Sequence, residues 1–388
     1  MHRPHVALIV PSFDVGAGVE TPAMTALAEA LRLHADVTVF ALRYPPGPGR
    51  FNVNGIPVVA LGGAGMRTRL LLWRTWGALR AVHRRKQFDV LHGVWLFEPG
   101  FIAATAGRLL RVPSMASVGG VEVVALPDIG VGGLLNRRGR MLSRFVLNRA
   151  GLVTGGSRFA LAHARRVAPL RAASAFRLAP LPVNTDLFAA RSEAVADVGS
   201  FRLLHVANLN AVKDQATLLR AFATVRRARP EAKLKIVGAD PAGMRAGLDQ
   251  LAAALDIETV VTFRELIPQR ELLPVYRAAD TFVITSRYES QAMVVLEAAA
   301  SGVPTVGTAV GVVPDLSPDA AIATPVGDPA ALADALLRLA GDADLRRGMG
   351  QAALARVQVE YAYAPVAQRF ADLYAELMYG RIAVDPQR

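Results

Sequence analysis

Apolar residues along this chain fall into two alternating patterns. Short continuous runs such as His5–Val10 (HVALIV), Asp36–Phe40, Ile56–Leu61, Asp89–His92, Pro113–Val118 and Gly151–Thr154 alternate with longer stretches of helical spacing. The helical stretches are Pro22–Leu33, Arg67–Lys86 and Arg137–Arg149. Strand, loop and helix repeating in this order predict βα units, and runs apolar on every position predict parallel strands buried on both faces. The pattern lapses over Ala179–Ser200, a Pro-, Asp- and Ala-containing stretch that predicts an interdomain connection. It then resumes with strands at Phe201–Val206, Lys233–Val237, Val260–Phe263, Thr281–Ile284 and Thr305–Gly307, and helices at Ala216–Arg227, a stretch up to about Leu255, and Pro329–Leu339. A last helix carries Val366, Phe370, Leu373, Tyr374 and Leu377 on one face. The predicted organisation is a first domain over residues 1–180, a connection over 181–200 and a second domain over 201–363. Residues 364–388 form a terminal helix that crosses back to the first domain.

A length of 388 residues accommodates two hydrophobic cores. No apolar run is long enough to span a bilayer, and the N-terminal run is too short for a secretory signal, so a cytoplasmic setting is expected. The absence of cysteine removes disulfides, thiolate metal sites and a cysteine nucleophile. Charge changes the picture more. Residues 1–180 hold 23 Arg and Lys against 8 Asp and Glu, whereas the remainder hold 21 against 24. All of the excess positive charge therefore lies in the first domain, which points to an anionic partner there: an acidic or phosphorylated acceptor, or a membrane surface. The helix Arg67–Lys86, with Trp73 and Trp76 among its arginines, suits a lipid interface, and Arg137–Arg149 is a second basic face. Either also suits an ordinary crossover helix with a solvated side. No nucleic-acid-binding module accompanies the charge.

In the first domain the candidate residues lie in the loops after strands, where open α/β sheets bind ligands. Gly16 and Gly18, after the first strand, serve either a tight turn or a close-approaching ligand; their spacing is not the dinucleotide fingerprint. His92, Trp95 and Glu98 lie at or beyond the carboxyl end of the strand Asp89–His92, and Gly119, Gly120 and Glu122 follow Pro113–Val118; His92 fits a satisfied structural histidine at least as well as a ligand contact. In the second domain, Thr285–Pro304 (TSRYESQAMVVLEAAASGVP) reads as a strand end, a loop and a helix with Ser290 at its N-cap and Gly302 and Pro304 at its stop. Glu289 precedes that helix, and Glu297 lies eight residues on. Lys213, one of four lysines, sits in the first loop of the second domain, where it can meet a diphosphate.

With Lys213, Glu289, Glu297 and Gly302 placed, the second half resembles the donor-binding domain of the retaining GT-B glycosyltransferases of family 4. The matching text is LLHVANLNAVKDQATLLRAF and VVTFRELIPQRELLPVYRAADTFVITSRYESQAMVVLEAAASGVPTVGTAVGVVPDL. The first half is similar in layout, with FDVLH, a strand followed by GGVE, and PVNTDLF near the connection. The resemblance implies an α/β GT-B fold: two Rossmann-like, doubly wound parallel-sheet domains facing across a cleft. It implies transfer of a sugar from a UDP- or GDP-sugar to a glycan or lipid-linked acceptor, in the cytoplasm or peripherally on the inner face of the plasma membrane. By resemblance, Lys213 neutralises the donor diphosphate, and the helix starting after Ser290, including Met293 and Val294, binds phosphate through backbone N–H groups. Glu289 addresses the sugar or the charge developing at its anomeric carbon, and Glu297 holds the ribose. The segment Arg264–Pro268, with Leu266, borders the nucleobase. The first-domain residues His92, Trp95, Gly119, Gly120 and Glu122 are expected on the acceptor side. The nucleotide sugar is a co-substrate; no separate cofactor and no metal are implied.

Three positions depart from the family pattern. Asn208 stands where an arginine is common, Gly119 where a histidine is frequent, and Val312 where a second glycine is usual. Asn208 then serves at most as a neutral donor, and a sugar contact at residue 119 falls to another group such as His92 or Glu122. A fold-retaining nucleotide-sugar-binding protein without catalysis, or a GT-B epimerase, is the alternative.

Overall fold

Parallel strands bearing apolar side chains on both faces need cover on both faces, and the chain supplies it with helices from every crossover. The structure, a computed structural model, describes residues 3–15, 21–169, 174–189 and 200–380. These divide into two units: one of residues up to Pro182 together with Tyr363–Tyr379, the other of Val183–Ala362. Of the connecting stretch, residues 190–199 lie outside the described ones, as do Gly16 and Gly18.

In the first unit the strands are β1 (His5–Ser12), β2 (Asp36–Tyr44), β3 (Pro48–Val53), β4 (Ile56–Leu61), β5 (Val90–Val94), β6 (Ser114–Val118), β7 (Leu152–Gly155) and β8 (Ala175–Leu178). They form one sheet in the order β3-β4-β2-β1-β5-β6-β7-β8. All neighbours are parallel except β3 and β4, which make an antiparallel hairpin turned by Asn54 and Gly55, both at positive φ. That hairpin occupies what the sequence pattern presents as a Pro/Gly-rich loop, because the side chains of β3 are largely exposed and carry no apolar run. Val6, Leu8 and Val10 pack on one face with Leu27, Phe370 and Tyr374, from the helices Pro22–Leu31 and Tyr363–Tyr379. Ala7 and Ile9 pack on the other face with Leu71, Leu79 and Ile102, from the helices Thr68–His83 and Phe101–Leu110.

The second unit holds β9 (Arg202–Val206), β10 (Lys233–Val237), β11 (Val261–Arg264), β12 (Thr281–Ile284), β13 (Thr305–Thr308) and β14 (Ala321–Thr324). Their order is β11-β10-β9-β12-β13-β14, all parallel. The strand order reverses between β9 and β12, which opens a switch point at their carboxyl ends. Leu204, Phe282 and Ile284 pack beneath the helix Met293–Ala300, while Leu203, Leu234 and Val283 face Leu218, Phe222 and Leu336. Val183–Ala189 belongs to this unit: Val183 N donates to Tyr361 O at 2.9 Å, and the Phe188 ring meets Tyr276 edge-on at 5.7 Å. Among the described residues no helix is long and apolar enough to cross a membrane.

Candidate functional site

Of the candidate donor residues of the second unit, Lys213 and Glu289 meet at the β9/β12 switch point. After β9 the chain turns through Asn210, whose side-chain oxygen accepts from the N–H groups of Val212 and Lys213 at 3.0 and 3.2 Å. Lys213 is tied to the loop after β12: its carbonyl accepts from Thr285 Oγ1 at 2.8 Å, and Arg287 N donates to Val212 O at 2.7 Å. These bonds carry the Lys213 ammonium to Glu289, with which it forms an ion pair. Ser286 Oγ donates to the same carboxylate oxygen at 2.7 Å. Both charged side chains are mostly shielded, 24% and 14% exposed, so water screens the pair less than it would a surface pair.

The helix after this loop spans Met293–Ala300, and its N-cap is Ala292 in the left-handed region at φ 71. This corrects the placement of Ser290 as N-cap. The chain needs two further residues to turn, and the start is set by Ala292 rather than by a capping side chain. Ala292 and Asp214, at φ 47, are non-glycine residues held at positive φ on facing loops of one site, where strain of this kind commonly collects. Met293 and Val294 lie in the first turn and are half-buried.

Glu297 is the fifth residue of the helix and only 4% exposed. Its Oε1 accepts from Gln269 Nε2 at 2.6 Å and its Oε2 from Tyr276 Oη at 2.8 Å. Burial pushes its carboxyl above the usual range, and the two donated bonds pull it partly back. Neither Gln269 nor Tyr276 is marked by spacing or motif; their role follows only from the fold. Near them in the chain, Arg264, Ile267, Arg270 and Pro274 are among the residues lining a pocket of about 510 Å³. Leu266, in the segment expected to border a base, is 48% exposed.

In the first unit the structure separates the expected acceptor residues. His92 lies within β5 rather than beyond its end, because the strand runs on to Val94. It is wholly buried, with Nδ1 at 2.9 Å from Tyr374 Oη and Nε2 at 2.7 Å from Ser117 Oγ. Burial lowers its pKa to about 3, so it is a neutral core group without access to a ligand. Glu98 is committed to a bidentate pair with Arg43, at 2.9 and 2.5 Å. Trp95, Gly119, Gly120 and Glu122 do come together. Glu122 is 1% exposed, and its Oε1 accepts from Leu96 N at 3.1 Å and Gly119 N at 3.2 Å, joining the loops after β5 and β6. Burial pushes this carboxyl up against the pull of those backbone donors. Trp95 is held at φ 81 and ψ 138, a conformation unusual for so bulky a side chain.

Comparison with known proteins follows this division. Residues 18–183 match the Glycosyl transferase 4-like domain, and residues 189–356 match Glycosyl transferases group 1. The chain belongs to the family 4 type of GT-B glycosyltransferases. It is 35% identical over 186 residues to the D-inositol 3-phosphate glycosyltransferase of Corynebacterium aurimucosum, a match covering 45% of this chain and 42% of that protein. The chain thus spans less than half the length of that relative. Sucrose-phosphate synthase from Thermosynechococcus elongatus has the same fold, with a TM-score of 0.78 at 23% identity over 98% of this chain and all of that one. So does Anabaena HepE, solved in complex with UDP and glucose, with a TM-score of 0.75 at 16% identity over 97% of this chain and all of that one.

The three departures from the family pattern acquire local explanations. Asn208 ties β9 to the loop after β10: its Oδ1 accepts from Ala239 N at 3.3 Å, and its carbonyl accepts from Gln215 Nε2 at 3.1 Å. Gly119 lies under the Trp95 ring, and a Cβ there would come within 2.6 Å of the indole. Val312 needs no glycine, because its φ is −84. The left-handed position is Gly311, at φ 57, where a Cβ would approach Gln291 O to 2.6 Å.

Proposed function

We propose that this protein moves a sugar from a UDP- or GDP-sugar to the hydroxyl of a glycan or lipid-linked acceptor, with retention at the anomeric carbon. The observation that carries the reading is the Lys213–Glu289 pair between the loops after β9 and β12, followed by a helix that holds a buried, doubly bonded Glu297. In this scheme Lys213 and the N–H groups at Ala292–Val294 meet the diphosphate, and Glu297 meets the ribose hydroxyls. The bond from the anomeric carbon to the β-phosphate oxygen breaks, and the acceptor oxygen bonds that carbon from the same face. The acceptor's proton passes to the departing phosphate oxygen. Glu289 lies beside the positive charge that develops on the sugar, and fixed charges of this kind are worth most where water is scarce. Lys213 and the helix start supply the positive field without requiring a metal. The Anabaena relative's complex with UDP and glucose supports a uridine donor, and the name of the Corynebacterium relative supports a small polyol phosphate as one acceptor class. Purified protein given a panel of UDP- and GDP-sugars with candidate acceptors is expected to release nucleoside diphosphate. Nucleotide binding without release on any acceptor would point instead to a non-catalytic binding protein.

An anionic membrane surface on the cytoplasmic side is the partner proposed for the basic unit. Helices Thr68–His83, Phe101–Leu110 and Arg137–Arg149 pack side by side and together hold nine arginines and no acidic residue. Trp73 and Met141 stand 71% and 72% exposed among those arginines. Vesicles containing anionic lipid are expected to co-sediment the protein at low salt and release it as salt rises, with Trp73→Ala weakening retention. Absence of binding at low salt would remove the membrane from the scheme.

A further inference from the structure

The loop that carries Lys213 is closed at its base by two side chains with no exposed surface, His205 and Gln215. β9 and β12 stay in register only as far as Leu204 and Phe282. Beyond that pair the His205 imidazole, on β9, joins the two strands: its Nδ1 lies 2.9 Å from Val283 O on β12. A carbonyl oxygen only accepts, so Nδ1 carries the proton and Nε2 presents a lone pair. Burial lowers the His205 pKa to about 4, which keeps the ring neutral in this form. Gln215 is the first residue of the helix Gln215–Ala228. Its Nε2 faces the His205 lone pair at 3.4 Å and donates to Asn208 O at 3.1 Å. Both amide hydrogens are thereby used, and they fix the amide's orientation, since its oxygen would face two acceptors if turned around. Gln215 Oε1 has no partner among the described residues, so what the amide supplies is its two donated bonds. For packing alone an apolar side chain would fill the same space without that unsatisfied oxygen.

We infer that Gln215 and His205 are positioning residues for Lys213, fixing the loop from which its ammonium reaches a donor diphosphate. Gln215 reaches back across that loop to Asn208, so the segment between them, with Lys213 in it, is held at both ends. The helix start from which Gln215 reaches is itself fixed, because Asp214 accepts from Thr217 N at 3.2 Å and from Thr217 Oγ1 at 2.8 Å. His205 ties the amide in turn to β12, the strand whose following loop carries Glu289. One chain of hydrogen bonds thus runs from the strand before Glu289, through the core, to the loop of Lys213. Neither His205 nor Gln215 is exposed to a ligand; each acts on the site through the place it gives Lys213. A misplacement of about 1 Å in such a group can cost about a hundredfold in rate. The assignment rests on the transferase reading, which supplies the diphosphate.

Gln215→Met keeps the length of the side chain and removes both donors. The test is calorimetry with UDP and GDP, each beside its own nucleoside, uridine or guanosine. The diphosphate that binds the unaltered protein is expected to bind the variant about tenfold more weakly, with the affinity for its nucleoside unchanged, because only the diphosphate meets Lys213. A general loosening of the unit would weaken both. In a Lys213→Ala background, Gln215→Met is expected to leave the remaining diphosphate affinity unchanged, since the group it positions is gone. Gln215→Asn, one methylene shorter and still polar, is the second variant, to be put through the same comparisons if Gln215→Met does not keep the folded circular-dichroism spectrum. Unchanged diphosphate affinity, equal weakening of the nucleoside, or full additivity with Lys213→Ala overturns the assignment and leaves the transferase reading standing. Binding of neither diphosphate to the unaltered protein removes both. The expected pattern without nucleoside diphosphate release from any donor keeps the assignment and removes catalysis.

Discussion

Lys213→Ala is expected to lower nucleoside diphosphate release from the donor by about a hundred- to a thousandfold, the range seen when one preorganised group facing the developing charge is removed. The magnitude follows from what surrounds the lysine. Its ammonium and the Glu289 carboxylate form a largely shielded pair, and Asn208 contributes no charge where the family commonly has an arginine. Removing the ammonium leaves Glu289 with Ser286 Oγ as its remaining partner in this cluster and turns a neutral pair into a lone negative charge. A diphosphate arriving there would meet repulsion when it should meet attraction, and the leaving group would carry its charge uncompensated. Lys213→Arg keeps the charge but changes its shape and reach, so it should recover part of the rate. The backbone of residue 213 is held by Asn210 and Thr285 in either variant, and folding is therefore expected to survive. A rate within a few-fold of the unaltered protein in Lys213→Ala would remove Lys213 from the site.

The strands of the second unit and the loops that carry Lys213 and Glu289 are legible in the chain because they depend on local signals. Buried parallel strands read as apolar runs, and Lys213 and Glu289 follow two of those runs directly. What is not legible depends on distance or on exposure. The β3–β4 hairpin has no apolar run to announce it, since Arg50 and Asn52 alternate with weakly buried neighbours on an edge. Ser290 is a good capping residue by type, yet the chain places Ala292 at the helix start, so capping preference yields to the path of the loop. His92 reads in sequence as either a structural or a ligand-side histidine, and only Tyr374, 282 residues away, decides for the first by taking its Nδ1. The replacement of a side chain at 119 by the Trp95 indole is invisible in sequence, because the two loops meet only in three dimensions.

Tyr276→Phe is expected to cost stability and nucleotide affinity together, and to do so increasingly as pH rises. The Tyr276 ring is fully buried between Phe188 and Phe282, at 5.7 and 5.8 Å, so its hydroxyl is held on Glu297 Oε2. Gln269, half-buried on a single 3-10 turn, is the more replaceable of the two donors. Phenylalanine preserves the packing and removes one donor from a buried carboxylate, a loss of about 1–3 kcal/mol. Burial already holds the folded Glu297 pKa above its unfolded value, and the tyrosine bond opposes that rise. A group with a raised folded pKa binds more protons folded than unfolded, so its stabilising contribution is complete below the unfolded value and is lost as pH climbs through the folded one. Removing the hydroxyl raises the folded pKa further and extends that loss to higher pH. Thermal unfolding of the two proteins should nearly coincide near pH 4 and separate near pH 8, by roughly 2–4 °C for each kcal/mol in a unit of this size. UDP affinity measured by calorimetry near pH 8 should fall in the same variant, since the Glu297 carboxylate loses a donor that fixes its position. Equal unfolding curves and equal affinity at both pH values would show that the Tyr276 hydroxyl does not hold Glu297 in its working state.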